Sequence, residues 1–409
     1  MKTLIGPFSQ IITMNGIPRE GPAGDDQLEI FRNGGILLDE NRISGIGDFE
    51  KLRKKHKVQT EEISQALVVL PGFIDAHTHI CYAGSRAGDY AERISGRTYQ
   101  EILEKGGGIY DTVNQTRRAS FSELTAATAI RINRHFMRGV TTLEIKSGYG
   151  LNTIDELKIL EVIHQLDKQL PADLVSTCLA AHVLPRESGS TTDYLQYLLN
   201  DLLPAVKARE LSDRVDIFIE KDAFGEEEAS WYLSTAKKAG FEVTVHADQF
   251  TRAGSAVAAK IRSVSADHLE KIDDIHIKLL ADRNVVQNVL PGASIGLGMP
   301  FAPARKILDA DGCLAIASDW NPGSAPMGDL LTEASILSAY EKLTFAETLA
   351  GLTFRAASAL SLSDRGSLGT GTKADFIAFP ADDYRDILYY QGQLRPVIIW
   401  KNGIKYENK

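Results

Sequence analysis

ALVVLPGFIDAHTH, residues 66–79, is the stretch that decides the fold. A short run of aliphatic residues bounded by turn formers reads as a strand buried on both faces, the kind found in parallel sheets covered by helices. It ends on His77 and His79, two residues apart, so on a strand both imidazoles point the same way. Seven further runs repeat the pattern: VTTLEIKSG (140–148), DLVSTCLAAH (173–182), RVDIFIEKD (214–222), FEVTVHAD (241–248), RSVSADHL (262–269), NVVQNVL (284–290) and CLAIASD (313–319). Between them lie stretches such as SELTAATAIRINRHFMRG and TIDELKILEVIHQLDKQL, with apolar residues at helical spacing. Eight strands alternating with helices predict an α/β fold, a TIM-like (β/α)8 barrel. A doubly wound open sheet would place a Gly-rich phosphate turn after its first strand, and none is present.

Outward from the barrel the texture changes. QIITMN, LEIF and GGILLDENRISGIG near the beginning, and ADFIAFP and RPVIIWKNGIKY near the end, alternate apolar and polar residues, with Asn402-Gly403 as a hairpin turn. Neither end holds a core of its own. The two are expected to join as a small β-sandwich domain, residues 1–65 plus 366–409, beside a barrel of residues 66–365.

A net charge of -9 and a pI near 5.6 argue against nucleic acid as a partner, since phosphate binding draws on clustered Lys and Arg. The basic run from Lys51 to Lys57 reads as a solvated helix face. No secretory apolar core opens the chain and no window of about 18 apolar residues occurs, so no membrane is expected and the reading is cytoplasmic. Cys81, Cys178 and Cys313 lie far apart with no CxxC spacing, which suits a reducing compartment.

Of the nine histidines, five fall where a barrel strand finishes: His77, His79, His182, His246 and His268, with Asp319 ending the eighth strand. Those ends form one face of such a barrel, the face on which active sites are built. His56, His135, His164 and His276 fall in helical or surface stretches and read as ordinary. Imidazoles with a carboxylate are a donor set for one zinc or ferrous ion, with a position left for water. An ion there makes that water acidic, and Asp319 takes its proton and passes it to a leaving nitrogen. His268 is placed to steady the attacking water or a developing oxyanion. Glu220 and Lys221, closing the fourth run, are the only candidates for a second ion's bridge, and they read instead as a structural ion pair at the barrel mouth.

The histidine pair on the first strand, a histidine on the fifth and sixth and an aspartate on the eighth resemble the amidohydrolase superfamily. PGFIDAHTHICYAGSRAGDY, the GGGI at 106–109, GVTTLEIKSGYGL, AAHVLP, HADQF, SADHLE and SDWNPGSAP narrow the likeness to the imidazolonepropionase family, in that family's order from about residue 70 to 330. The resemblance implies hydrolysis of 4-imidazolone-5-propanoate to N-formimidoyl-L-glutamate in histidine degradation. It makes His77, His79, His246 and Asp319 the ligands of one divalent ion, zinc or iron. It also implies that Arg86, Tyr149, His182 and Gln249 contact the anionic substrate, His182 and Gln249 joining Asp319 and His268 in catalysis. Asn321, Gly323 and Ser324 would surround the product's carboxylates, and the family implies a homodimer.

Physical reasoning runs alongside this. The Arg86 guanidinium, on the loop after the first strand, has the shape to fork onto a carboxylate. Tyr149 stands at the mouth after the second strand, and the Pro322-Gly323 turn offers backbone N–H groups to an anion. The triple glycine reads either as a flap or as a flexible connection. Related deaminases place a Glu three residues after the fifth-strand histidine. Gln249 stands there and carries no titratable proton, which favours lactam ring opening over the alternative, another cyclic amidohydrolase or a deaminase on the same scaffold.

Overall fold

In the computed structural model, which describes residues 2–97, 101, 106–221 and 223–408, each of the eight runs contains a strand. These are Phe73–Asp75, Val140–Lys146, Asp173–Ala181, Arg214–Ile217, Glu242–Val243 continued by Val245–Ala247, Ser265–His268, Val286–Val289 and Leu314–Ile316. Asp222, the last residue of the fourth run, lies outside the described residues. Consecutive strands pair in parallel throughout. The eighth run closes on the first: the Asp319 N–H donates to the His77 carbonyl at 3.0 Å and the His79 N–H to the Trp320 carbonyl at 2.9 Å. An open sheet has no such bond, so the chain forms a closed parallel barrel.

The intervening helices start where the sequence supplies caps. Ser120 accepts the Glu123 N–H and Glu123 answers on the Ser120 N–H, so Phe121–Met137 opens with both orphan donors satisfied. Asn152 caps Thr153–Asp167 in the same way through the Asp155 N–H. The helix Phe121–Met137 brings a histidine into the interior: His135 Nε2 is 3.2 Å from Asp75 Oδ2 and its ring meets Trp320 edge-on at 4.7 Å. Among the described residues no helix is long and apolar enough to cross a membrane.

The run 66–79, expected as one barrel strand, divides at Gly72. Val68–Pro71 pairs antiparallel with Phe376–Phe379 and parallel with Lys2–Ile12, and only Phe73–Asp75 enters the barrel. A side chain at Gly72 would come within 2.2 Å of Thr141 Oγ1, so the pivot has room for glycine alone. The resulting eight-stranded sheet runs Ile404–Glu407, Ile398–Lys401, Phe376–Phe379, Val68–Pro71, Lys2–Ile12, Ile30–Asp39, Arg42–Asp48, with Gln59–Glu62 also on Lys2–Ile12. It curls over, because the Gly371 N–H donates to Ile43 at 2.8 Å and Ile43 returns the bond to Thr372 at 3.0 Å. The sandwich is thus one continuous sheet folded on itself.

Inside the curl Trp400 stacks on Phe376 at 4.6 Å and meets Phe8 edge-on at 5.9 Å. Each buried aromatic ring removes about 150–250 Å2 from water, roughly 4–6 kcal/mol before the entropy of ordering it. Asn402 and Gly403 both take left-handed φ (+52° and +77°), which closes the final two-residue hairpin. The sheet is fastened to the barrel floor at Asp173, which receives Lys373 at 2.7 Å and Lys401 at 2.9 Å. Burial alone would raise that carboxyl, but Lys401, Lys373 and Arg365 hold it down at about 2.

Candidate active site

Four side chains converge where the barrel strands end. The Nε2 atoms of His77 and His79 are 3.1 Å apart and those of His79 and His246 3.3 Å apart, while Asp319 Oδ1 lies 3.5 Å from His77 Nε2 and 3.4 Å from His79 Nε2. All four are buried. Burial is the main force pressing the imidazoles toward the neutral form, to about 3 at His79 and about 4 at His246, with His77 also well below its usual range. A neutral imidazole offers a lone pair, and three lone pairs facing one another at this spacing repel unless a cation lies among them. Asp319 sits at a left-handed φ of +53°, a conformation that needs support; the Asn321 Nδ2 donates to its carbonyl at 2.7 Å and the Ser324 hydroxyl to its carboxylate at 3.2 Å. Three imidazoles and one carboxylate therefore fit a borderline divalent ion.

Behind these donors stands a layer that the sequence did not disclose. His77 Nδ1 donates to Asp267 Oδ2 at 2.7 Å and His246 Nδ1 lies 2.9 Å from Asp216 Oδ2, so each ring has a carboxylate behind it and keeps its Nε2 lone pair forward. Lys146 lies 2.8 Å from both Glu144 and Asp216 and 3.6 Å from Asp267. One signal pointed here: charged residues interrupting apolar runs, in VTTLEIK, RVDI and SADH, must face a barrel interior and find partners there.

Above the cluster opens a cavity of about 520 Å3, and Arg86, Tyr149, His182, Gln249, His268, Asn321, Gly323 and Ser324 all line it. His182 stacks on His79 at 5.3 Å, and its Nδ1 donates to the Gly148 carbonyl at 3.1 Å, which leaves Nε2 as a free acceptor. Any side chain at Gly148 would press to 2.8 Å of the Leu179 carbonyl and 3.0 Å of His182, at a φ of +109°. The Tyr149 hydroxyl is pushed up by burial and stays a proton donor. His268, at a left-handed φ of +85°, has Nδ1 3.6 Å from Glu270; burial draws its pKa down, yet Glu270 and Asp319 carry it above the ordinary value.

Two expectations change. The Gly323 and Ser324 N–H groups already donate to Asn321 Oδ1, at 2.7 and 2.8 Å, so the turn does not hold them free for an anion. Among the described residues Glu220 makes no ion pair with the Lys221 ammonium. It accepts the Lys221, Phe250 and Thr251 N–H groups, each at 3.0 Å, and so fixes the loop that follows Gln249. Sequence reading also missed Arg93, a second guanidinium on the cavity wall beside the Gly323 carbonyl at 3.5 Å. Arg86 is anchored by Asp89 at 2.8 Å, and the same carboxylate oxygen accepts the Gly108 N–H at 2.8 Å, so the glycine stretch is tied to the arginine.

Residues 83–389 match the Amidohydrolase family. The chain is 39% identical over 409 residues to imidazolonepropionase from Bacillus cytotoxicus, covering 98% of this chain and 95% of that protein. It is also 39% identical over 383 residues to imidazolonepropionase from Fusobacterium nucleatum, covering 92% of each. Among solved structures, an adenosine deaminase from Xanthomonas campestris with bound zinc superposes with a TM-score of 0.73 at 16% identity, covering 98% of this chain and 92% of that one. The atrazine chlorohydrolase from Arthrobacter aurescens complexed with zinc gives 0.71 at 17% identity, over 99% and 95%. At such identities these two speak for the fold alone.

Proposed function

Because the chain belongs to the amidohydrolase family, as one of its imidazolonepropionases, we propose that it hydrolyses 4-imidazolone-5-propanoate to N-formimidoyl-L-glutamate in histidine degradation. The observation that carries this is the convergence of three imidazole Nε2 atoms and the Asp319 carboxylate on the floor of a cavity whose wall bears Arg86. His77, His79, His246 and Asp319 would hold one zinc or ferrous ion, which would supply Lewis acidity at the floor of the cavity.

The side chains do the rest. Asp319, its carboxyl raised by burial, takes a proton from the water as oxygen adds to the ring carbonyl carbon. It returns that proton to the ring nitrogen as the carbon–nitrogen bond breaks, leaving a formimidoyl group and a carboxylic acid that releases its remaining proton to solvent as a carboxylate. His268 donates to the developing oxyanion. Tyr149 and the His182 Nε2 hold the ring from the side of the second and third strands, and Gln249 reads a ring N–H or carbonyl without exchanging protons. Arg86 takes the propanoate carboxylate; Asn321, Gly323 and Ser324 border the product's carboxylates. We place the enzyme in the cytoplasm as a homodimer, with a small anionic substrate and neither nucleic acid nor membrane as partner.

The deciding experiment is a turnover assay on 4-imidazolone-5-propanoate. Loss of imidazolone absorbance without ammonia is the expected result, and ammonia release would mean a deaminase instead.

Two substitutions probe the carboxylate subsite. Arg86→Ala should keep its metal and raise KM about 10- to 150-fold, the equivalent of losing one hydrogen-bonded charge pair of roughly 1.5–3 kcal/mol. Elemental analysis beside steady-state kinetics checks this, and metal lost with Arg86 would overturn the assignment. Gly323→Ala places a Cβ 2.4 Å from Arg86 Nη1, and that flexible end must move aside. A smaller rise in KM with kcat unchanged is expected; a changed kcat would show that the loop under Asp319 had shifted instead.

A further inference from the structure

Lys146 takes no part in the chemistry above and does not line the cavity, yet its ammonium is the centre of a fully buried charge group behind the site. Its Nζ lies 2.8 Å from Glu144 Oε2, 2.8 Å from Asp216 Oδ2 and 3.6 Å from Asp267 Oδ2. These are the same oxygens that face the back of two ligands: Asp216 Oδ2 lies 2.9 Å from His246 Nδ1, and Asp267 Oδ2 2.7 Å from His77 Nδ1. Glu144 is itself held by the Thr177 hydroxyl, so the ammonium is seated from one side and reaches two carboxylates on the other. Desolvating an ammonium costs several kcal/mol, and hydrophobic replacement of such buried networks is often neutral or stabilising, so stability gives no reason for a lysine here.

We infer that Lys146 is a positioning residue for the metal site: by bridging Asp216 and Asp267 it holds His246 and His77 in one fixed relation and so sets how tightly the chain keeps its ion. The inference rests on the metal reading above. Coulomb's law alone predicts the opposite sign, because an ammonium close to a dication repels it, and removing the charge should then tighten binding. Positioning predicts weaker binding, since partners behind metal ligands typically contribute 10- to 100-fold in affinity.

The sign can be measured on the full chain, stripped of metal, by competition for zinc with a chromogenic chelator. Lys146→Met is expected to weaken zinc about 10- to 100-fold, and Lys146→Arg, which keeps the charge but cannot seat it among three oxygens, by at least about 3-fold. In an Asp216→Asn background the Lys146→Met effect should shrink, because both act through one oxygen. Unchanged or tighter zinc in either lysine variant, or full additivity with Asp216→Asn, overturns the inference. Should Lys146→Met fail to fold, Lys146→Arg still decides. A wild-type chain that binds no zinc would instead sink the metal reading itself, and the two failures are therefore distinct.

Discussion

Replacing His246 with alanine is expected to give a chain that purifies without its ion and without turnover. Protein zinc sites of four ligands are worth about 10–16 kcal/mol, so one ligand carries roughly 2.5–4 kcal/mol, or about two to three decades of affinity. The substitution does further harm behind the site, because Asp216 loses the imidazole at 2.9 Å and is left with Lys146 as its remaining charged contact. Elemental analysis and the turnover assay, run on one preparation, should fall together. A His246→Ala chain that retains stoichiometric metal would remove this residue from the ligand set.

The second large effect belongs to Asp319. Asp319→Asn keeps the shape and the three imidazoles but removes the carboxylate that faces their Nε2 atoms and takes up the water's proton, so kcat should drop about 100- to 10,000-fold, the range of general acid–base catalysis. KM should move little, since Arg86 binds the far end of the substrate. Metal is expected to be held more weakly and to be restored by excess zinc, which separates the two roles of this side chain. A kcat within about tenfold of wild type at saturating zinc would leave the proton transfer to another group.

Much of this architecture could be read from the chain before any coordinates. The eight apolar runs each hold a strand, and the histidines at their ends do meet, because strand ends in a closed parallel barrel share one face. Partners across strands were not legible. Glu144 and Lys146 share one strand, but Asp216 and Asp267 stand on strands far away in sequence, and alternation tells that a charged residue points inward without telling whom it meets. The Gly323 and Ser324 N–H groups looked available because an Asx turn made by Asn321 depends on the loop's own conformation. Gly72 as a pivot was hidden for a similar reason: the aliphatic run is continuous, and only the approach of Thr141 shows where it must bend.

That bend couples two events during synthesis. Val68–Pro71 leads directly into the strand that ends just before His77, yet its antiparallel neighbour, Phe376–Phe379, emerges from the ribosome some 300 residues later, roughly 15–60 s at ordinary elongation rates. Until then one edge of the segment ahead of His77 is bare, exposing unpaired backbone to wrong partners. Native assembly of this enzyme should thus be a late, largely post-translational step, and nascent chains stalled before residue 376 should be unusually dependent on chaperones.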